Sequence, residues 1–183
     1  NYLDTAATTD ITQMIADGIH VVSSAGNQNA YLDAPGGADY GNYIKVVDIY
    51  NSNQERTYYY NRGGWMNQST DAITVGNIDN DKLERKRPDS NKGPGVDIWA
   101  PGAGIVASGT TYYSGTVNHP VNSSYKNFLF YGTSAAAPQV AGCLAMNLTA
   151  YPYVTPKQGK GFIVDKATKD QITEQNPPTQ AGT

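Results

Sequence analysis

With 183 residues, 39% of them hydrophobic, the chain is long enough to bury one core, and nothing in its composition demands a second domain. The 13 basic and 16 acidic residues leave a net charge of −3, which gives nucleic-acid binding no electrostatic support. A single cysteine, Cys143, excludes an internal disulfide; the two histidines, His20 and His119, lack zinc-ligand spacing; and no apolar run reaches the roughly 18 residues of a membrane-spanning helix. Beginning at Asn1 with neither the basic nor the apolar region of a signal peptide, the chain reads as a processed product or one piece of a longer polypeptide.

Thr9 or Asp10 is placed to cap a short helix ending at Ala16, with Ile11, Met14 and Ile15 at spacings of three and four, and Gly18 stops it. Residues 19–25 are β-branched and bounded by glycines, the pattern of a buried strand in a parallel sheet; His20 within it reads as a hydrogen-bonded core histidine. Helix then strand indicates an α/β fold. Residues 31–69, dense in Tyr, Asn and Gly, read as a long surface loop, as do residues 110–127, and such loops shape clefts or contact partner chains. Residues 72–76 predict a second strand, followed by a polar loop to Lys92 whose basic stretch from Lys82 to Arg87 reads as solvated. A third strand is expected over residues 96–100, stopped by Pro101 and Gly102, and a short fourth over residues 105–107. An Ala-rich helix is expected over residues 135–148, with Pro138 in its first turn, where a missing N–H costs little. Thr155 and Pro156 open a last helix to about Lys166, and residues 175–183 read as an unstructured tail.

Two local patterns carry chemistry. Residues 132–142, Gly-Thr-Ser-Ala-Ala-Ala-Pro-Gln-Val-Ala-Gly, put Ser134 at the N-terminus of a helix of small residues. Unpaired N–H groups and the helix dipole favour negative charge there, so the Ser134 amide suits an oxyanion formed at its own hydroxyl. Without a second element, Thr-Ser before an Ala-rich helix is more often a simple N-cap. That second element is Ser-Ser-Ala-Gly-Asn at residues 23–27, which sets Asn27 just past the end of a buried strand, where parallel α/β folds place binding groups. The side-chain amide of an Asn is a standard oxyanion-hole donor, whereas a turn-forming Asn after Gly is the plainer reading.

In their order, and with the strands between them, these patterns resemble the subtilisin-like serine peptidase family. Its nucleophile box is matched by residues 132–142, its strand ending in Ala-Gly-Asn by residues 21–27, and its strand leading to Ala-Pro-Gly by residues 96–102. Residues 72–76 look like the strand between the last two, and residues 151–169 like the closing helix. The match spans about Thr9 to Lys169 of one unit over residues 1–183, and it implies the C-terminal portion of a three-layer α/β fold with a mostly parallel sheet. Carried over by position, Ser134 is the nucleophile, and its amide with the Asn27 side chain forms the oxyanion hole. Ser24, Ala25 and Gly26 line the pocket for the side chain before the scissile bond. The resemblance implies a protein or peptide substrate; no cofactor and no metal site is read from the sequence. Two departures stand out: Gln139 replaces a His that is structural in the family, and the stretch between Asn27 and Ala72 is longer than usual, which leaves the specificity pocket unpredictable.

A serine hydroxyl needs an adjacent base held in the right tautomer by a carboxylate. The family's Asp and His boxes lie upstream of the Asn, and neither occurs in this sequence. Asp4 imitates the Asp turn but directly precedes the helix that leads into the Asn27 strand; His20 lies inside that strand; His119 stands before Pro120 in a surface loop. The resemblance therefore implies an extracellular or secreted endopeptidase whose Asp and His come from an upstream segment or a separate chain. The competing class is a non-catalytic structural or interaction module derived from the same fold, for example in a viral particle or surface assembly. The acidic sedolisin relatives share the Gly-Thr-Ser box but use a Glu/Asp pair and a calcium site; Asp165 and Asp170, each beside a lysine, suit a solvated helix face instead. Asn67, Asn122 and Asn147 head Asn-x-Ser/Thr patterns, with Asn147 expected on a packed helix where no glycan attaches.

Overall fold

A computed structural model of the chain describes residues 5–48, 53–60, 69–80, 83–110 and 116–173. Helix α1 (Thr5–Ala16) begins before the predicted Thr9 or Asp10 cap, because Ala6 and Ala7, good helix formers, carry the turn back toward the N-terminus. Its Ile15, with Ile11, packs against Val21 and Ala72. The strand expected over residues 19–25 narrows to β1 (Val22–Ser24), although the ladder continues at each end: Ile73 N donates to Val21 O (2.9 Å) and Ala25 N to Val75 O (2.8 Å). His20 therefore precedes the strand. Its Nε2 donates to Val154 O at 3.0 Å, the hydrogen-bonded packing role expected of it.

The first predicted loop, residues 31–69, instead holds an antiparallel hairpin of β2 (Tyr43–Asp48) and β3 (Gln54–Tyr59). Cross-strand pairs stabilise it. Tyr43 and Tyr59 sit opposite one another with ring centroids 5.4 Å apart, and Lys45 Nζ reaches Glu55 Oε1 at 2.7 Å. The hydrogen bond and charge of Glu55 raise the pKa of the Lys45 ammonium above its ordinary value. Gly63, Gly64 and Asn67 lie outside the described residues.

The centre of the fold is β4 (Ile73–Ile78), which runs two residues beyond the predicted Gly76 and is buried along its whole length. It lies between β1 and β5 (Ile98–Pro101) in a parallel sheet of order β1-β4-β5. Pro101 is tolerated because β5 is an edge and Pro closes the strand. The fourth predicted strand is β6 (Ile105–Gly109). The second predicted loop contains β7 (Val117–Asn118) and runs into β8 (Lys126–Phe130), and these three form an antiparallel sheet of order β6-β8-β7. Sequence could not reveal either set of pairings, since their partners are chosen by chain reversals in Asn- and Tyr-rich segments with little apolar alternation.

Helix α2 (Thr133–Ala150) lays Ala136, Ala137, Val140 and Leu144 on Ile73, Val75 and Ala100. Small residues let it approach the sheet closely. It starts two residues ahead of expectation, so Pro138 falls in the second turn rather than the first and withholds the N–H that would meet Ser134 O. Gln139 Nε2 donates instead to Ala135 O (2.9 Å) and Pro101 O (2.5 Å), fastening the helix to the end of β5. Helix α3 (Pro156–Lys166) opens as predicted, with a capping box between Thr155 and Gln158 and Pro156 in its first turn. Its Ile163 joins the core under α2, and Gly159 lies against the His20 ring and Leu144. From α3, Lys160 Nζ donates to Thr70 O (2.6 Å) and Ala72 O (2.9 Å) and pairs with Asp97 Oδ1 (2.8 Å), while Asp97 Oδ2 accepts from Thr74 N (2.8 Å).

Candidate active site

Ser134 is exposed in the first turn of α2, where parallel strands β1, β4 and β5 present their carboxyl ends. The turn that delivers it depends on Gly132, whose φ of 102° suits glycine and whose missing Cβ would sit 3.0 Å from Asn27 Nδ2. Gly132 N donates to Gly102 O (2.8 Å), so the end of β5 and the start of α2 are tied together at this point. Neither the Ser134 hydroxyl nor its amide is bonded to another described residue. The amide is one of the orphan donors of a helix start.

Asn27, on the loop after β1, is brought to the same turn. Its Oδ1 accepts from Thr133 N (2.9 Å) and from Thr133 Oγ1 (3.0 Å), and the Thr133 hydroxyl in turn accepts from Gly26 N (3.1 Å). Thr133 is fully buried, so this link is shielded from water. With Oδ1 committed to two donors, the Asn27 amide group keeps its Nδ2, a pure donor, without a bond to the described residues. Of the remaining predicted residues, Ser24 is half-buried at the end of β1, Ala25 is buried, and Gly26 takes φ 100° as the chain turns away from the strand.

Sequence reasoning missed the platform beneath this loop. The basic stretch read as solvated instead buries Lys86, whose Nζ donates to Asn29 Oδ1 (3.2 Å), Arg87 O (2.9 Å) and Ser90 O (3.1 Å). Burying an ammonium requires that its donors be matched, and three oxygens do so. Arg87 pairs with Asp89 and lies over the Tyr131 ring at 5.4 Å, three residues before Ser134. Asn91, 2% exposed, bonds repeatedly to residues 25–30. No signal of charge or period separates Lys86 from its less buried neighbours; only the folded loop does. Nearby, burial, then the charges of Asp33 and Asp39, raise the pKa of Tyr31, which stays a neutral phenol through the neutral range.

The histidines do not reach Ser134. His20 lies at the opposite end of β1, bonded to Val154 O. His119 Nδ1 accepts from Val121 N and Asn122 N, both at 3.3 Å, and its ring meets Tyr125 edge-on, so it organises a turn. Asp165 and Asp170 are exposed, and the described residues contain no group of three or more acidic, His or Cys side chains suited to a metal. Asn147 is buried on α2 as expected, and Asn122 is exposed. A cavity of about 750 Å³ between β5, α3 and residues 167–172 is lined by Trp99, Cys143 and Phe162 among others, but by neither Ser134 nor Asn27.

The structure thus brings an exposed serine at a helix N-terminus and the Asn27 side chain to one turn at the carboxyl end of a parallel sheet. The chain belongs to the subtilase family, whose family model matches residues 3–182. A subtilisin-like protease of Coccidioides posadasii is 32% identical over 105 residues, which are 57% of this chain and 23% of that protein. The extracellular serine proteinase of a Thermus species is 30% identical over 127 residues, 69% of this chain and 27% of that one. Alkaline serine exoprotease A of Vibrio alginolyticus is 32% identical over 103 residues, 56% of this chain and 16% of its own length. A cold-adapted subtilisin-like serine proteinase superposes with a TM-score of 0.62 at 21% identity, over 96% of this chain and 50% of that structure. Proteases from Pseudoalteromonas arctica superpose at 0.63 and 18% identity, over 95% of this chain and 44% of theirs. The fold is thus subtilisin-like, as the sequence motifs implied, and the chain spans about a quarter or less of the curated relatives' length and about half of the solved structures.

Proposed function

We propose that this chain is the nucleophile-bearing part of an extracellular subtilisin-like serine endopeptidase, with the catalytic Asp and His supplied by an upstream segment or a separate chain. The observation that carries this reading is the Asn27–Thr133 link. Two bonds from Thr133, the residue before Ser134, engage the Asn27 carbonyl oxygen and leave its amide donor without a bond to the described residues. In the reaction, Ser134 Oγ attacks the peptide carbonyl while its proton passes to the incoming His. The tetrahedral oxyanion is held by the Ser134 N–H and Asn27 Nδ2, the proton goes on to the leaving amine, and water hydrolyses the acyl-enzyme. Ser24, Ala25 and Gly26 line the pocket for the residue before the scissile bond. The position of β1 at the edge of the described parallel sheet supports an incoming strand there, because parallel strands are ordinarily paired and covered on both sides. Extracellular action is supported by the printed name of the Thermus relative.

The test is labelling of the native assembly with a serine-reactive fluorophosphonate. Modification at Ser134, abolished by Ser134→Ala, is expected. An unlabelled Ser134 in an assembly that contains the upstream segment refutes catalysis and leaves a non-catalytic module.

A further inference from the structure

We infer that Asn91 is the positioning residue that holds Asn27 beside Ser134, acting through the backbone of residues 25–30; the inference rests on Asn27 being the oxyanion donor. The loop after β1 is short, turns through the positive φ of Gly26 (100°) and Asn29 (51°), and lies outside the strands of the described residues. Asn91 supplies what a partner would. Its Oδ1 accepts from Gln28 N (3.0 Å) and Ala30 N (2.8 Å), and its Nδ2 donates to Ala25 O (2.8 Å), with Gln28 Oε1 at 3.3 Å. Its backbone N donates to Gly26 O (2.9 Å). Every polar atom of one buried amide is thus spent on the residues that flank Asn27, on both sides of it.

Asn91 is itself fixed to the central strand. Asn77 N on β4 donates to Ser90 Oγ (3.0 Å), and that hydroxyl donates to Asn91 O (3.0 Å). Lys86 adds a second tie, joining Asn29 Oδ1 to Ser90 O, and Asn29 N donates to Asp89 O (2.8 Å). Asn27 is therefore held from two directions, by Thr133 at its side chain and by Asn91 at the residues on either side of it. A shift of about 1 Å in such a donor is enough to cost on the order of 10² in rate.

The assembled protease carrying Asn91→Ala, Asn91→Asp, Asn27→Ala or the double change Asn27→Ala/Asn91→Ala tests this. Asn91→Asp keeps the acceptor for Gln28 and Ala30 and loses the donor to Ala25, so it serves if the alanine variant does not fold. In either Asn91 variant, hydrogen exchange of residues 25–30 is expected to accelerate while β4 and α2 stay protected. Asn91→Ala is expected to lower kcat about 10²-fold with KM within about twofold, and to change kcat less than about twofold when Asn27→Ala is already present. Additive losses, or unchanged exchange at residues 25–30 in both variants, overturn the inference. If Ser134 proves unreactive in the wild type, the catalytic reading fails, and the exchange result still decides whether Asn91 holds the loop.

Discussion

Asn27 and Ser134 stand out in the sequence because each sits at a point where backbone geometry limits the choice of residue: a strand end and a helix start. Their partners do not. Thr133 falls within the nucleophile box, yet nothing in its spacing says that its hydroxyl accepts from Gly26 and donates to Asn27. Lys86 was expected in solvent and is 5% exposed, because oxygens from the 87–90 turn and from Asn29 converge on its ammonium. Lys160 is the other cation whose role only contacts define. It and Asp97 are mostly buried, at 17% and 14% side-chain exposure, so removing one partner strands the other. Lys160→Met is expected to destabilise the protein by about 3 kcal/mol, read from the urea midpoint, with part of the loss recovered by adding Asp97→Asn. A loss below about 0.5 kcal/mol, the range of an exposed pair, would contradict that burial.

Elements with strong local rules were legible in outline. The start of α3 was predicted from Thr155 and Pro156, a cap followed by a proline, and in the structure Gln158 completes a capping box with Thr155. Thr155→Ala is accordingly expected to cost about 1 kcal/mol in chemical denaturation, with Ser134 chemistry unaffected at temperatures where the chain stays folded. The buried strands were legible too, from β-branched runs, although β1 shrank and β4 lengthened once pairing defined their ends. Helix α2 was right in kind but not in origin: tertiary ties at Gly132 and Asn27 draw Thr133 and Ser134 into its first turn and push Pro138 inward. Hairpin β2–β3 and strands β7 and β8 were missed for the opposite reason. Tyr43 with Tyr59, and Lys45 with Glu55, stabilise their sheet only across the turn, and no local pattern encodes an opposite number.

For the whole molecule, the proposed division of the site has a definite kinetic consequence. If Ser134 and Asn27 act as proposed, with both histidines engaged elsewhere, the isolated 183-residue chain is expected to hydrolyse peptides at most about 10³–10⁴ over the water reaction. Adding the upstream segment is expected to raise the rate by further orders of magnitude; full protease rates from the isolated chain would show that the base lies within it. The sequence by itself determined the family and the buried strands along the chain, and singled out Ser134 and Asn27 as candidates. It could do so because strand burial, helix starts and tight turns are set by residues close together along the chain. The tertiary structure alone decided that Thr133 engages the Asn27 carbonyl oxygen, that Asn91 and Lys86 hold the loop around it, and that His20 and His119 bond away from Ser134. Each of those depends on atoms far apart in sequence meeting out of water, where an unmatched polar group is costly enough to fix its neighbours.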